Sequence, residues 1–255
     1  MAIDIAQFPC LGDNYGYLVH DRASGETAAV DTPDADVICD TLDARGWKLT
    51  QIWNTHHHFD HTGGNLDLAE KTGCTIVGPA GEAERIPGLD RPLNEGDLVE
   101  LGATTAQILE VGGHTHGHIA YHLAEAHAVF VGDSLFALGC GRLFEGTPEQ
   151  MWESLQKLAR LPEDTHVYCA HEYTAANAAF AVTIDPDNTA LTARHADITA
   201  ARAAGKPTVP PQIGLELATN PFLRPADAGI RKVLGMPDAA DVEVFAEIRR
   251  RKDNF

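Results

Sequence analysis

Four histidines and one aspartate occupy six consecutive positions inside NTHHHFDHTGGN, the stretch from Asn54 to Asn65. Imidazoles crowded in this way repel one another once protonated. A divalent cation removes the conflict, because ligating histidines must be neutral and their lone pairs then share one attractive centre. The preceding residues, LTQIWNT, read as a short strand. In extended backbone, side chains two apart share a face, so His56 and His58 can converge while His57 and Phe59 point away. Asp60 and His61 follow as the chain turns, and Gly63-Gly64 permit a sharp bend into the next helix. Imidazole nitrogen beside carboxylate oxygen suits zinc, iron or manganese. A closed structural zinc site would draw on cysteines. The five present (Cys10, Cys39, Cys74, Cys140, Cys169) show no paired spacing, and their odd number fits reduced thiols.

One loop cannot saturate two cations, so further donors are expected at the ends of other strands, where α/β scaffolds collect site residues. Three segments qualify. VGGHTHGH follows the strand TAQILEV and offers His114, with His116 and His118 nearby. VFVGDSLF ends a strand with Asp133, a carboxylate able to bridge two cations. VYCAHEYT ends another with His171.

The elements that must position these groups alternate between strand and helix. YGYLVHD, TAAVDT, CTIVGP, DLVEL, TAQILEV, HIAYHL, AVFVGD and THVYCAH read as strands separated by turn residues. DADVICDTLDARG reads as a helix with Ile38 and Leu42 on one face and Gly46 as its stop, and LDLAEKTG as a short one. TPEQMWESLQKLARL carries the strongest helical pattern: Thr147 as cap, Pro148 in the first turn, Gln150 closing a capping box, and Met151, Leu155 and Leu158 as the apolar stripe. Beyond residue 173 the composition changes. An Ala-rich helical stretch leads into a Pro-rich connection, KPTVPPQIGLELATNPFLRP, and then a final helix bearing Val242, Phe245 and Ile248. Two domains are therefore expected: α/β over 1–173, and a smaller helical one over 174–255.

A net charge of −18 disfavours a nucleic-acid partner, since phosphate neutralisation requires basic surface. No apolar run reaches membrane-span length, and the opening MAIDIAQFPCLGDNYGYLVH lacks a basic segment followed by an apolar one. A cytoplasmic monomer, with no membrane partner, is the expectation.

The ordered set THHHFDH, GHTHGH, GDSLF and AHEYT resembles the metallo-β-lactamase superfamily. GCGRLFEGTPEQM, HEYT and the terminal RRRKDNF narrow the resemblance to the glyoxalase II, or hydroxyacylglutathione hydrolase, family. It extends over nearly the whole chain. The resemblance implies an αββα sandwich with a smaller C-terminal helical domain, and two divalent cations, zinc foremost with iron or manganese as alternatives. It implies His56, His58 and His114 on one cation, Asp60, His61 and His171 on the other, and Asp133 between them. His57 and His118 become supporting residues, and His116 a variable one. Asp60 can both ligate and orient the attacking hydroxide. Glutathione would be held by positions matching Arg142, Phe144, Tyr173, Arg249 and Lys252; some members carry tyrosine where this chain has Phe144.

The implied reaction is hydrolysis of S-2-hydroxyacylglutathione thioesters, S-D-lactoylglutathione giving glutathione and D-lactate, the second step of methylglyoxal detoxification. Paired cations about 3.5–4 Å apart bring the pKa of a shared water toward about 7. Glutathione thioesters are net anions, which a chain at −18 would repel unless basic groups gathered locally; RRRK at the end of the last helix is such a gathering. The foremost rival reading is a glutathione persulfide dioxygenase using a single iron in a similar site; a phosphodiesterase or ribonuclease of the same superfamily and a non-enzymatic metal-binding protein rank below it.

Overall fold

The computed structural model describes residues 3–255. Two compact units emerge. One runs through Glu110 and takes in His116–Gly132, and the other joins Val111–Thr115 to Asp133–Phe255.

The first unit is built on a six-stranded sheet in sequential order: β1 (Ile3–Cys10), β2 (Asn14–Asp21), β3 (Thr27–Val30), β4 (Gln51–Trp53), β5 (Thr75–Pro79) and β6 (Arg91–Leu93). β1 to β3 pair antiparallel, and β3 to β6 pair parallel through helical crossovers. α1 (Ala35–Arg45) spans the gap from β3 to β4, while α2 (Phe59–Thr62) and α3 (Asn65–Thr72) span that from β4 to β5. The period of two along each strand divides the side chains. Leu18, Ala29, Ile52 and Ile76 pack under Ile38 and Leu42 of α1 and Leu68 of α3. Tyr17 and Trp53 project the other way. There they meet β7 (Leu98–Leu101), β8 (Thr104–Glu110), β9 (Ile119–Leu123) and β10 (Ala128–Gly132), which follow one another antiparallel. Trp53 stacks on Tyr121 with centroids 5.2 Å apart, and Tyr17 meets Phe130 edge-on at 5.5 Å. Two sheets face to face with helices outside is the architecture the resemblance implied.

α1 has both signals read from its sequence. Asp34 accepts from the backbone N–H of Asp36 and Val37, and Gly46 closes the helix at φ 66. Asp34→Ala should cost about 1 kcal/mol, as lost caps do, measured as a lowered urea midpoint with unchanged slope.

In the second unit a short hairpin, β11 (Leu135–Phe136) and β12 (Gly139–Cys140), precedes α4 (Pro148–Leu158) and β13 (His166–Cys169). Helices α5 (Thr174–Ile184), α6 (Thr189–Ala203), α7 (Ile213–Thr219), α8 (Ala228–Leu234) and α9 (Asp241–Asp253) follow. α4 is capped by Thr147 and buries Met151, Leu155 and Leu158 as its spacing predicts. Two details differ from expectation. The Pro-rich connection contains α7, whose central Glu216 is fully buried; a charged side chain that reads as solvent-facing is here a structural partner. The final helix buries Val244, Phe245 and Ile248, leaving Val242 half-buried, because it begins at Asp241 and its inward stripe starts one turn later. Among the described residues no helix is long and apolar enough to cross a membrane.

Candidate metal centre

The histidine cluster begins where β4 runs out. Asn54, fully buried, donates its side-chain amide to the carbonyl of His61 and the side chain of Asn65, and so ties both ends of the turn together. Thr55 donates its N–H and its hydroxyl to the Asp31 carboxylate, each at 2.8 Å. That hydroxyl hydrogen is therefore committed. Facing His56 Nδ1 at 3.0 Å, the oxygen can only accept, so Nδ1 carries the proton and Nε2 of a neutral His56 keeps its lone pair. Nε2 lies 3.0 Å from Nδ1 of His58, so the two rings converge as expected, though on the bend that follows β4 and not on extended strand. Asp31 also accepts from His61 Nδ1 at 2.8 Å, fixing the same tautomer there. His61 Nε2 stands 3.5 Å from Asp60 Oδ2, which itself accepts from Asn14 Nδ2 at 3.1 Å.

The other donors lie in the second unit. His114 follows Gly113, whose φ of 141 and pressure against Met151 admit no side chain, since an added Cβ would sit 2.7 Å from the Met151 Cβ. His114 Nδ1 donates to the Arg142 carbonyl at 2.9 Å, so Nε2 of the neutral ring bears a lone pair. That Nε2 is 3.4 Å from Asp133 Oδ2, and His171 Nε2 is 3.4 Å from Asp133 Oδ1. Asp133 thus presents one oxygen to each of two buried imidazoles.

These donor sets fit a divalent cation. For His114, lone pair against carboxylate oxygen at 3.4 Å is repulsive, and for both rings 3.4 Å is too long for a good hydrogen bond. Two atoms bonded at zinc–nitrogen and zinc–oxygen lengths to one tetrahedral ion lie about 3.4 Å apart. Partners on the far ring nitrogens of His56, His61 and His114 fix ring and tautomer, as ligating histidines require.

Beside His114 and Asp133 opens a cavity of about 680 Å³. Every position matched to glutathione contacts lines it. Phe144, exposed, meets the His114 ring edge-on at 5.2 Å, and Tyr173 stacks flat on His171 at 4.8 Å. Arg142 is exposed. Arg249 differs from expectation: it is buried, donating to the Cys140 carbonyl at 2.8 Å and to Asp253 at 2.8 and 3.1 Å. It supplies charge to the cavity, but much of its donor capacity is already used. Lys252 is half-buried, with Nζ 3.0 Å from the Ala176 carbonyl. Burial first, and then the charges of Arg249 and Arg142, push its amine down to about 8.

Sequence reasoning missed Asn14, Asp31 and Glu82. Asp31 had a usable signal, ending the strand TAAVD as Asp133 ends VFVGD. Asn14 and Glu82 had none, as their contacts are 46 and 25 residues away. Of the other histidines in the two histidine-rich motifs, His57 pairs with Glu82, His118 stacks on His56 at 4.6 Å, and His116 is exposed.

Comparison with known proteins places these residues in a wider group. Residues 32–171 match the family model described as the metallo-beta-lactamase superfamily, and 172–255 match that of the hydroxyacylglutathione hydrolase C-terminus. The chain is 58% identical to the hydroxyacylglutathione hydrolase of Maricaulis maris over 98% of both chains. It is 55% identical to that of Ruegeria pomeroyi over the full length of both. Among solved structures it resembles ETHE1 from Myxococcus xanthus, with a TM-score of 0.68 and 24% identity over 99% of this chain and 98% of that one. It also resembles TTHA1623 in a di-iron-bound form, with a TM-score of 0.61 and 25% identity over 86% of this chain and all of that one.

Proposed function

We propose a division of roles for this chain, which belongs to the hydroxyacylglutathione hydrolase family of the metallo-beta-lactamase superfamily: seven side chains hold two divalent cations, and the basic cavity beside them holds glutathione. The reaction is the hydrolysis of S-2-hydroxyacylglutathione thioesters, S-D-lactoylglutathione giving glutathione and D-lactate. Our assignment puts His56, His58 and His114 on one cation, Asp60, His61 and His171 on the other, and Asp133 across both. In support, among the described residues these seven have donor atoms that group in threes able to hold a metal ion. The observation that carries the reading is Asp133, one oxygen to each of two imidazoles, beside a cavity bearing Arg142 and Lys252. Zinc is our preferred metal; iron and manganese accept the same donors, and TTHA1623 has been seen with two irons.

Two divalent cations held by these residues would supply a water of lowered pKa and polarisation of the thioester carbonyl. The rest of the work falls to the chain. Asp31, Thr55 and the Arg142 carbonyl hold His61, His56 and His114 in the tautomer that presents Nε2. Asn14 holds Oδ2 of Asp60 and so fixes the carboxylate that orients the attacking water. Arg142 and Lys252 draw the glutathione carboxylates into the cavity, with Tyr173 and Phe144 as walls, while Arg249 adds charge and anchors α9 to the β12 carbonyl of Cys140. The leaving group is a thiolate whose parent pKa, about 8.5, lets it depart without strong acid assistance. On this reading the helical residues 174–255 contribute to substrate binding through Arg249 and Lys252, joining Arg142, Phe144 and Tyr173 from the residues before them, and a single chain suffices. A mononuclear persulfide dioxygenase is not favoured. It would leave half the donors without a task, and relatives at over half identity along the whole chain are hydroxyacylglutathione hydrolases.

Lys252 gives the test. Lys252→Ala should raise KM for S-D-lactoylglutathione about 10-fold with kcat little changed, the loss expected of one partly solvated charge-assisted contact remote from the reacting carbon. The pH dependence follows from its lowered pKa. The amine is charged below about 8 and neutral above, so kcat/KM of the parent should fall as pH climbs through that value. Lys252→Arg should remove that limb, its guanidinium remaining charged. An unchanged KM in Lys252→Ala contradicts the cavity assignment.

A further inference from the structure

We propose that Glu82 is a positioning residue for the metal centre, clamping two loops by one buried carboxylate. It lies on the 3-10 turn Ala80–Arg85 that follows β5, is 3% exposed, and belongs to none of the donor sets. Its Oε2 accepts the backbone N–H of His57 at 2.8 Å and His57 Nδ1 at 2.6 Å, while Oε1 accepts the backbone N–H of Gly117 at 2.9 Å. A buried carboxylate is costly unless satisfied, and three N–H groups from outside its own turn satisfy this one.

What those N–H groups belong to gives the clamp its purpose. His57 sits between His56 and His58. Any rotation of the backbone at residue 57 swings both neighbouring rings and opens the 3.0 Å approach of His56 Nε2 to His58 Nδ1. Holding residue 57 by backbone and ring at once blocks that rotation. On the other arm, Gly117 comes so close that an added Cβ would lie 2.7 Å from Glu82 Cγ and 3.0 Å from the Gly81 carbonyl carbon. The next residue, His118, is fully buried and stacks on the His56 ring at 4.6 Å and 20°. Glu82 therefore restrains the His56–His58 pair from both sides. Metal affinity is sensitive to ligand displacements of a few tenths of an ångström, and outer partners that orient ligands typically matter 10- to 100-fold in metal affinity.

The inference rests on the reading that His56 and His58 are ligands, and its test separates the two claims. Glu82→Gln keeps the volume but offers one oxygen where two are needed, so either His57 or Gly117 faces an NH₂ group. Zinc titration of the metal-free protein against a chromophoric chelator should show two tight sites in the parent. In Glu82→Gln one site should weaken 10- to 100-fold while the second holds, and hydrolysis should fall at limiting zinc and recover at excess zinc. If Glu82→Gln does not fold, His57→Ala removes the ring half of the clamp and should weaken the same site about 3- to 10-fold. Parent-like zinc affinity in the folded variant, including a lower melting temperature of the metal-free protein with no change in affinity, overturns the clamp. A parent that binds no zinc overturns the ligand assignment instead.

Discussion

Asp133→Ala should lower kcat/KM for S-D-lactoylglutathione by at least about 10³-fold and leave the purified chain with no more than one tightly held metal ion. Losing a single electrostatic partner of a developing oxyanion typically costs 10²- to 10³-fold, and this substitution removes the carboxylate assigned to both cations at once. It also leaves the Nε2 atoms of His114 and His171 facing each other's field without the anion that now lies 3.4 Å from each. Neutral imidazoles tolerate that, whereas a second cation would lack the carboxylate that offsets its charge. Fold loss is checked separately: a parent-like far-ultraviolet spectrum should accompany the loss of activity. Asp133→Asn keeps one oxygen and should retain one metal ion more readily than Asp133→Ala. Metal analysis beside steady-state kinetics checks both. Activity within 10-fold of the parent and two retained ions would show that Asp133 is not a bridge.

The second large effect concerns stability. Arg194 on α6 and Glu216 on α7 form an ion pair inside the second unit, with Glu216 fully buried. Arg194 also donates to the Thr219 hydroxyl at 2.6 Å. The other oxygen of Glu216 accepts the backbone N–H of Leu138 and the side chain of Asn220, both at 2.9 Å. Asn220 in turn donates to the Phe136 and Gly139 carbonyls. Leu138 stands at φ 57, a conformation a leucine rarely adopts, at the tip of the β11–β12 hairpin between Asp133 and Arg142. Glu216→Ala should therefore cost about 3–5 kcal/mol, the loss seen when one partner of a buried pair is removed, because Arg194 is left charged and the Leu138 N–H unsatisfied. Each kcal/mol is worth about 2–4 °C in a unit of this size, so the melting temperature should drop by roughly 6–20 °C. Arg194→Met combined with Glu216→Leu should recover part of that drop, since no isolated charge remains. A fall in melting temperature below about 2 °C for Glu216→Ala would mean that water reaches this network.

The parts of this molecule that local physics decides were legible without coordinates. α1 and α4 carry caps, stripes and stops within their own residues, and the structure uses Asp34, Gly46 and Thr147 as those signals require. His56 and His58 do converge, but on the bend after β4, which ends at Trp53, so strand periodicity anticipated the meeting and not the backbone that makes it. What depends on distant partners was not legible. Glu216 reads as a solvent-facing residue until Arg194 and Leu138 are brought to it, which is why α7 passed for a connection. Arg249 reads as a free basic group at a helix end, whereas the fold turns it inward onto Cys140 and Asp253. Asn14 and Glu82 touch the site from chain positions that no local pattern links to it.

The most direct measurement is a titration. Metal-free protein receives zinc in steps while hydrolysis of S-D-lactoylglutathione is followed. The rate should start near zero and rise to a plateau reached at two equivalents of zinc per chain. Turnover before any zinc is added, or a plateau complete at one equivalent, would contradict the two-cation site.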